Sequence, residues 1–183
     1  MAALSKTAAA ALLAAMLFCW GCRPKPKAPA LIDEPVYQSD EGFRFLVPQG
    51  WIMTAKGNVP PGPVEKETIL VQYRLHSGAS SATLEISLMD LPEDAALADY
   101  LSRPSYSVRR WSLLGKAESI EAGGVSGKRF RFKGKADSFE LIKEVTVFRR
   151  GGRDYFFIVL HSPKDTAAPE QARRSINRLV WTK

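Results

Sequence analysis

Apolar residues at every second position, recurring in stretch after stretch, constrain this chain more than any other feature. In "TILVQYRL" (68–75) the recurring set is Ile69, Val71, Tyr73 and Leu75; in "ATLEISLM" (82–89) it is Leu84, Ile86 and Leu88. Side chains alternate between the two faces of a β-strand, so each set describes a strand with one buried face. The short "HSGASS" between them makes the two an antiparallel pair. This period excludes an all-helical fold. A hydrophobic fraction of 45% beside 25% charged residues also excludes wholesale disorder.

The same alternation opens and closes the region. "FRFLV" (43–47) meets "PQGW", where Pro48 and Gly50 signal a turn before a second short strand, "WIMTA". "GNVPPGP" (57–63) reads as a loop, since its glycines and prolines break a ladder. Later strands are "WSLLGKAESI", "GKRFRFKG", "FELIKEVTVFRR" and "RDYFFIVLHS", with turns at Gly123–Gly124 and "RGGRD" (150–154). A helix is predicted over "PEDAALADYLSR" (92–103), with Asp90 and Glu93 at capping-box spacing and Leu97, Tyr100 and Leu101 on one face. A second is predicted over "TAAPEQARRSINRLVW", its stripe being Ala172, Ile176, Leu179 and Val180. The order of strands, helix, strands and helix describes one α+β domain over residues 36–183, an antiparallel β-sheet flanked by helices.

The first residues read as an address. Lys6 precedes the apolar run "AAAALLAAMLFCW" (8–20), which is shorter than the roughly 20 residues a spanning helix needs and suits a signal peptide. Gly21 then precedes Cys22, and the chain turns polar and proline-rich. The segment resembles a bacterial lipoprotein signal, which implies removal of residues 1–21 and lipid on Cys22. It departs from that pattern at Cys19 and Trp20, where leucine and a small residue are usual. An ordinary cleaved signal is the alternative. A redox "CWGC" should follow a strand, and a zinc site needs a second ligand pair, whereas His76 and His161 stand apart. Residues 22–35, with four prolines, read as the lipidated cysteine and an extended tether of about 3 Å per residue. Its Arg23, Lys25 and Lys27 would lie against an anionic leaflet. These features place the domain outside the cytoplasm, lipid-anchored in a bacterial cell envelope, the outer membrane being one candidate.

"GFRFLVPQGW" joins a glycine, alternating aromatics, a proline and a tryptophan. With the "VSGKRFRF" and "YFFIVLHSP" strands and the closing "INRLVW", it resembles the PsbP-like domains over residues 36–183. The resemblance implies an antiparallel sheet with helices, and a role in binding partners or assisting assembly. It carries no catalytic residues across.

Chemistry is sparse in the sequence. No Gly-x-Ser-x-Gly elbow is present, and "GVSGKR" misses phosphate-loop spacing and precedes a strand. His76 and His161 each read as surface histidines at strand ends. Basic residues cluster twice: Arg129, Arg131 and Lys133 alternate with Phe130 and Phe132, and Arg149, Arg150 and Arg153 crowd a hairpin tip. With a net charge of +7, these are candidate surface-binding residues, although alternation of arginine and phenylalanine is also what a half-buried sheet requires. The leading expectation is a non-enzymatic lipoprotein acting as a partner-binding or assembly accessory module for an envelope protein. One alternative is a small-ligand binder or weak hydrolase with a cleft near His76 or His161. The other is a basic module for anionic membrane or polymer surfaces. No cofactor, metal or nucleic acid is implied.

Overall fold

A computed structural model describes residues 31–35, 42–57, 68–91 and 96–182. The expectations for the signal (1–21), for Cys22 and residues 23–30, for most of the 57–63 loop and for Glu93 lie outside them. The last five tether residues are described: Leu31–Pro35 form strand β1, paired with β3 (Leu46–Pro48).

One large antiparallel sheet dominates. Its order is β4 (Trp51–Gly57), β5 (Thr68–Ser77), β6 (Thr83–Asp90), β11 (Arg153–His161), β10 (Phe139–Arg150) and β9 (Val125–Ala136). Two short strands, β7 (Ser112–Leu113) and β8 (Glu118–Ala122), share the outer edge of β9. Hairpins supply much of the order. Gly151 and Gly152, both at positive φ, turn β10 into β11 with Arg150 opposite Arg153, in agreement with the "RGGRD" signal.

The turn at Pro48–Trp51 does not close a hairpin. It passes the chain from β3 to the main sheet, while β2 (Phe43–Arg44) pairs with β12 (Val180–Trp181). Among the described residues, helices occupy less than a sheet flanked by helices suggests. Helix α1 is only Leu97–Leu101, and α2 is Ala167–Asn177. Asp90 does not cap α1: it ends β6 opposite Thr68, and Ala96 stands at the N-cap without a side-chain bond. The stripe of α2 also stops early. Ala172 and Ile176 are buried, but Leu179 and Val180 follow the helix, and Val180 points outward from β12.

The sheet separates two cores because alternate residues of each strand face opposite ways. Under α2 lie Phe43, Phe45, Leu84, Ile86, Phe148, Phe157 and Ile176. Trp181 packs edge-on against Phe148 and Tyr155 (centroids 5.5 and 5.0 Å apart), its indole N–H donating to the Ala122 carbonyl. Under α1 lie Met89, Leu101, Trp111, Phe132, Val145, Phe156 and Ile158.

Candidate functional site

On the α2 face, Glu144, Arg173 and Arg129 are paired off next to the core, whereas His161 Nε2 and Ser175 Oγ are buried without a hydrogen-bond partner. Glu144, 2% exposed, accepts from Arg173 Nη2 at 2.6 Å and Arg173 Nε at 2.8 Å, and Arg131 Nε lies 3.1 Å from the same carboxylate. Burial alone would lift this carboxyl, but the Arg173 bonds and Arg131 outweigh it and hold it at about 2. Arg173 is raised in turn by the bonds to Glu144. Arg129 donates to Thr146 Oγ1 (3.2 Å) and Asn177 Oδ1 (2.9 Å), and lies 3.6 Å from Glu118; burial pulls its guanidinium below the ordinary value. Strand-to-helix bonds such as Trp51 Nε1 to Gln171 Oε1 (2.7 Å) complete the seam.

The predicted basic residues are therefore distributed rather than pooled. Arg129 and Arg131 lie in this seam, and Arg129 is only 7% exposed. Lys133 pairs with Glu140 at 2.7 Å. At the β10–β11 tip, Arg149 grips Asp154 through two 2.8 Å bonds, whereas Arg150 reaches over the Trp181 ring at 5.6 Å. Arg153 is exposed beside the turn.

The histidines differ from expectation as well. His161 is not a surface residue. It shares its parity with Phe157 and Val159 and is buried among them, Nδ1 facing the Ser162 carbonyl at 2.8 Å. Its Nε2 lies 3.7 Å from Glu144, too far for a hydrogen bond. His76 is half-buried on β5, opposite Thr83. Neither is among the described residues that line the cavity of the α1 face.

That cavity, of about 330 Å³, opens on the α1 face. Its floor is Glu85 and Met89 from β6, Lys143 and Val145 from β10, and Phe156 and Ile158 from β11. Tyr100 and Leu101 of α1 and the segment 103–106 form the roof. The roof is built under strain. Ser105 and Val108 exchange two backbone bonds around Tyr106 and Ser107, which take φ of 54° and 61°. Such a turn normally uses asparagine or glycine, because a side chain in the left-handed region costs about 1–2 kcal/mol. Here the turn aims Tyr106 inward, where its hydroxyl donates to Glu85 Oε1 at 3.0 Å. Burial first, then Glu85, raises that phenol well above its usual range.

Lys143 joins roof and floor. Only 3% exposed, it donates Nζ to the Leu101 carbonyl (2.5 Å) and Ser105 Oγ (3.3 Å), with the ammonium 4.4 Å from the Trp111 ring centre. Burial lowers it to about 8. Trp111 Nε1 in turn donates to Ser105 Oγ at 2.9 Å. Gly134 lets this roof sit close, for a Cβ there would come within 2.5 Å of Val108 Cγ1 and 2.7 Å of Trp111. Sequence reasoning missed Lys143, although a signal existed. It occupies the same parity as Val145 and Val147, and so had to face the core they face.

Solved structures share this architecture. Cyanobacterial PsbP (CyanoP) of Synechocystis matches with a TM-score of 0.57 at 15% identity, covering 89% of this chain and 99% of that one. LpqN of Mycobacterium tuberculosis, described as involved in cell envelope biogenesis, matches at 0.52 and 14%, covering 84% and 92%. The Ran-binding protein Mog1p of Saccharomyces cerevisiae matches at 0.51 and 8%, covering 84% and 97%. No family model matches the sequence, and no curated protein matches it. The fold is PsbP-like.

Proposed function

We propose that the chain is a non-enzymatic binding module of the bacterial cell envelope, held at a membrane by lipid on Cys22 and serving as a partner-binding or assembly accessory protein. The observation that carries this reading is the contrast between the two faces of the sheet. One is closed by Glu144, Arg173 and their neighbours; the other keeps a half-open cavity under a strained roof. Backbone strain at a cavity mouth is a mark of a binding site. The envelope role described for LpqN, and the binding role described for Mog1p on the same fold, support the reading. The small-ligand alternative moves from the histidines to this cavity. The surface-binding alternative is weakened by the bonds of Arg129 and Arg149 to their own chain.

In-cell crosslinking of the tagged full-length chain, with Cys22→Ala and Ile158→Trp variants beside it, tests the proposal. Ile158 is a cavity wall, and tryptophan there fills the space. One dominant partner should be captured by the parent, lost from Ile158→Trp and reduced without the anchor. Identical captures from all three chains would overturn the reading.

A further inference from the structure

Among the described residues, the α1-face cavity holds one buried cation, Lys143, that its walls do not pair with a counter-charge. Lys143 and Arg103 both line it, and Glu85 is its one carboxylate among the described residues. Glu85 already accepts from Arg74 Nη2 at 3.1 Å and from Tyr106 at 3.0 Å, so its charge is answered within the wall. Lys143 is answered by neutral groups alone: a carbonyl, a hydroxyl, and the rings of Trp111 and Phe132 at 4.4 and 5.2 Å. Among the described residues no carboxylate lies within ion-pair distance of it. An ammonium carries three donors, and two have partners here. A buried cation without a counter-charge is costly, so the site favours whatever brings one.

Size and surface narrow the ligand further. A volume of about 330 Å³ stands at the low end for ligand cavities, which run from about 300 to 1,000 Å³. Met89, Tyr100, Phe156 and Ile158 present apolar and aromatic surface beside the cations. The Tyr100 hydroxyl donates to Met89 Sδ at 3.2 Å.

We infer, resting on the reading of this cavity as the binding site, that it takes a compact apolar anion: a carboxylate on a small hydrocarbon or aromatic body. The body lies against Met89, Phe156 and Ile158, and the charge sits where the 101–105 segment crosses Lys143. A free organic acid and the C-terminal carboxylate of a peptide share this chemistry.

Calorimetry on the full chain carrying Cys22→Ala tests the inference with 4-phenylbutyrate, 4-phenylbutanol and 4-phenylbutylamine as probes. The acid should bind about tenfold or more tighter than the alcohol, as a charge-assisted hydrogen bond implies, and the amine weakest. Arg103→Glu at the exposed rim should weaken the acid about tenfold and spare the alcohol; Lys143→Met should do the same, with near-ultraviolet circular dichroism confirming its fold. N-acetyl-Leu-Phe binding tighter than the acid points to a peptide terminus, and weaker binding to a free acid. Equal affinity for acid, alcohol and amine, or no binding by any probe, would overturn the inference. If no probe binds yet Ile158→Trp still abolishes crosslinking, the anion inference alone fails. If the acid binds and Ile158→Trp crosslinks normally, the partner reading alone fails.

Discussion

Lys143 and Glu144 are neighbours on one strand, both almost wholly buried, and the two faces of the sheet treat them differently. Glu144 meets Arg173 and Arg131, and its charge helps fasten α2 to the sheet. Lys143 meets a carbonyl, a hydroxyl and aromatic rings, and it borders open space. A face whose buried charges are matched has no electrostatic need of a ligand. A face whose buried charge is unmatched is receptive. The comparison therefore supports the proposed binding face without any appeal to a catalytic set.

Successive phenylalanines on β11 offer the strongest way to break this contrast. Phe157 lies under α2 among Phe43, Phe45 and Phe148, whereas Phe156 borders the cavity. Phe157→Ala should cost about 4–5 kcal/mol in chemical denaturation and Phe156→Ala about 3, since a void beside an open cavity can be relieved by water and by movement of the roof. Equal losses would show that the α1 face is as tightly built as the other.

Glu144→Ala should cost about 3 kcal/mol, because it removes the buried carboxylate that Arg173 and Arg131 share and leaves Arg173 with Glu170 alone. Its pH dependence sharpens the point. The carboxyl is held at about 2, below its ordinary 4.5, so its contribution is complete above 4.5 and is lost as pH falls toward 2. Acid titration of stability should be flatter across that window in Glu144→Gln than in the parent. An unchanged acid slope would remove Glu144 from its central place.

Lys143→Met should have the smallest effect, within about 1 kcal/mol at neutral pH, because an apolar replacement also removes an uncompensated buried charge. The sign of its pH dependence is reversed. Lys143 is lowered to about 8 from 10.5, so between those values the unfolded chain binds the proton and the folded one does not. Stability contributed by this group therefore rises with pH across the window, and the rise should vanish in Lys143→Met. A loss as large as that of Glu144→Ala, measured by the same denaturation, would make the two faces equivalent.

The alternation in "FELIKEVTVFRR" and "RDYFFIVLHS" made β10 and β11 legible, because a period of two maps directly onto the pleat. The same period, followed through its polar members, also marks Lys143 and His161 as buried. The pattern of apolar residues alone does not reveal this, because a charged or titratable side chain is ordinarily assigned to solvent. Asp90 differs for another reason: capping spacing is local, while the place of Asp90 at the end of β6 is set by its long-range pairing with Thr68. Nothing local marks Tyr106 and Ser107 as a turn, since neither residue favours positive φ, so the cavity roof was invisible until tertiary contacts were known.

The pairing of β2 with β12 bears on the order in which the molecule assembles. Phe43 lies opposite Trp181, and the Thr182 N–H donates to the Gly42 carbonyl at 3.0 Å. Hairpins such as β10–β11 close over a two-glycine turn and lose little chain entropy in doing so. Joining residue 43 to residue 181 in an open chain closes a far longer loop for two paired positions. That junction becomes affordable only after the hairpins have drawn its ends together. Loop-closure cost therefore predicts that the aromatic cluster around Trp181 is completed after the hairpins, late in folding.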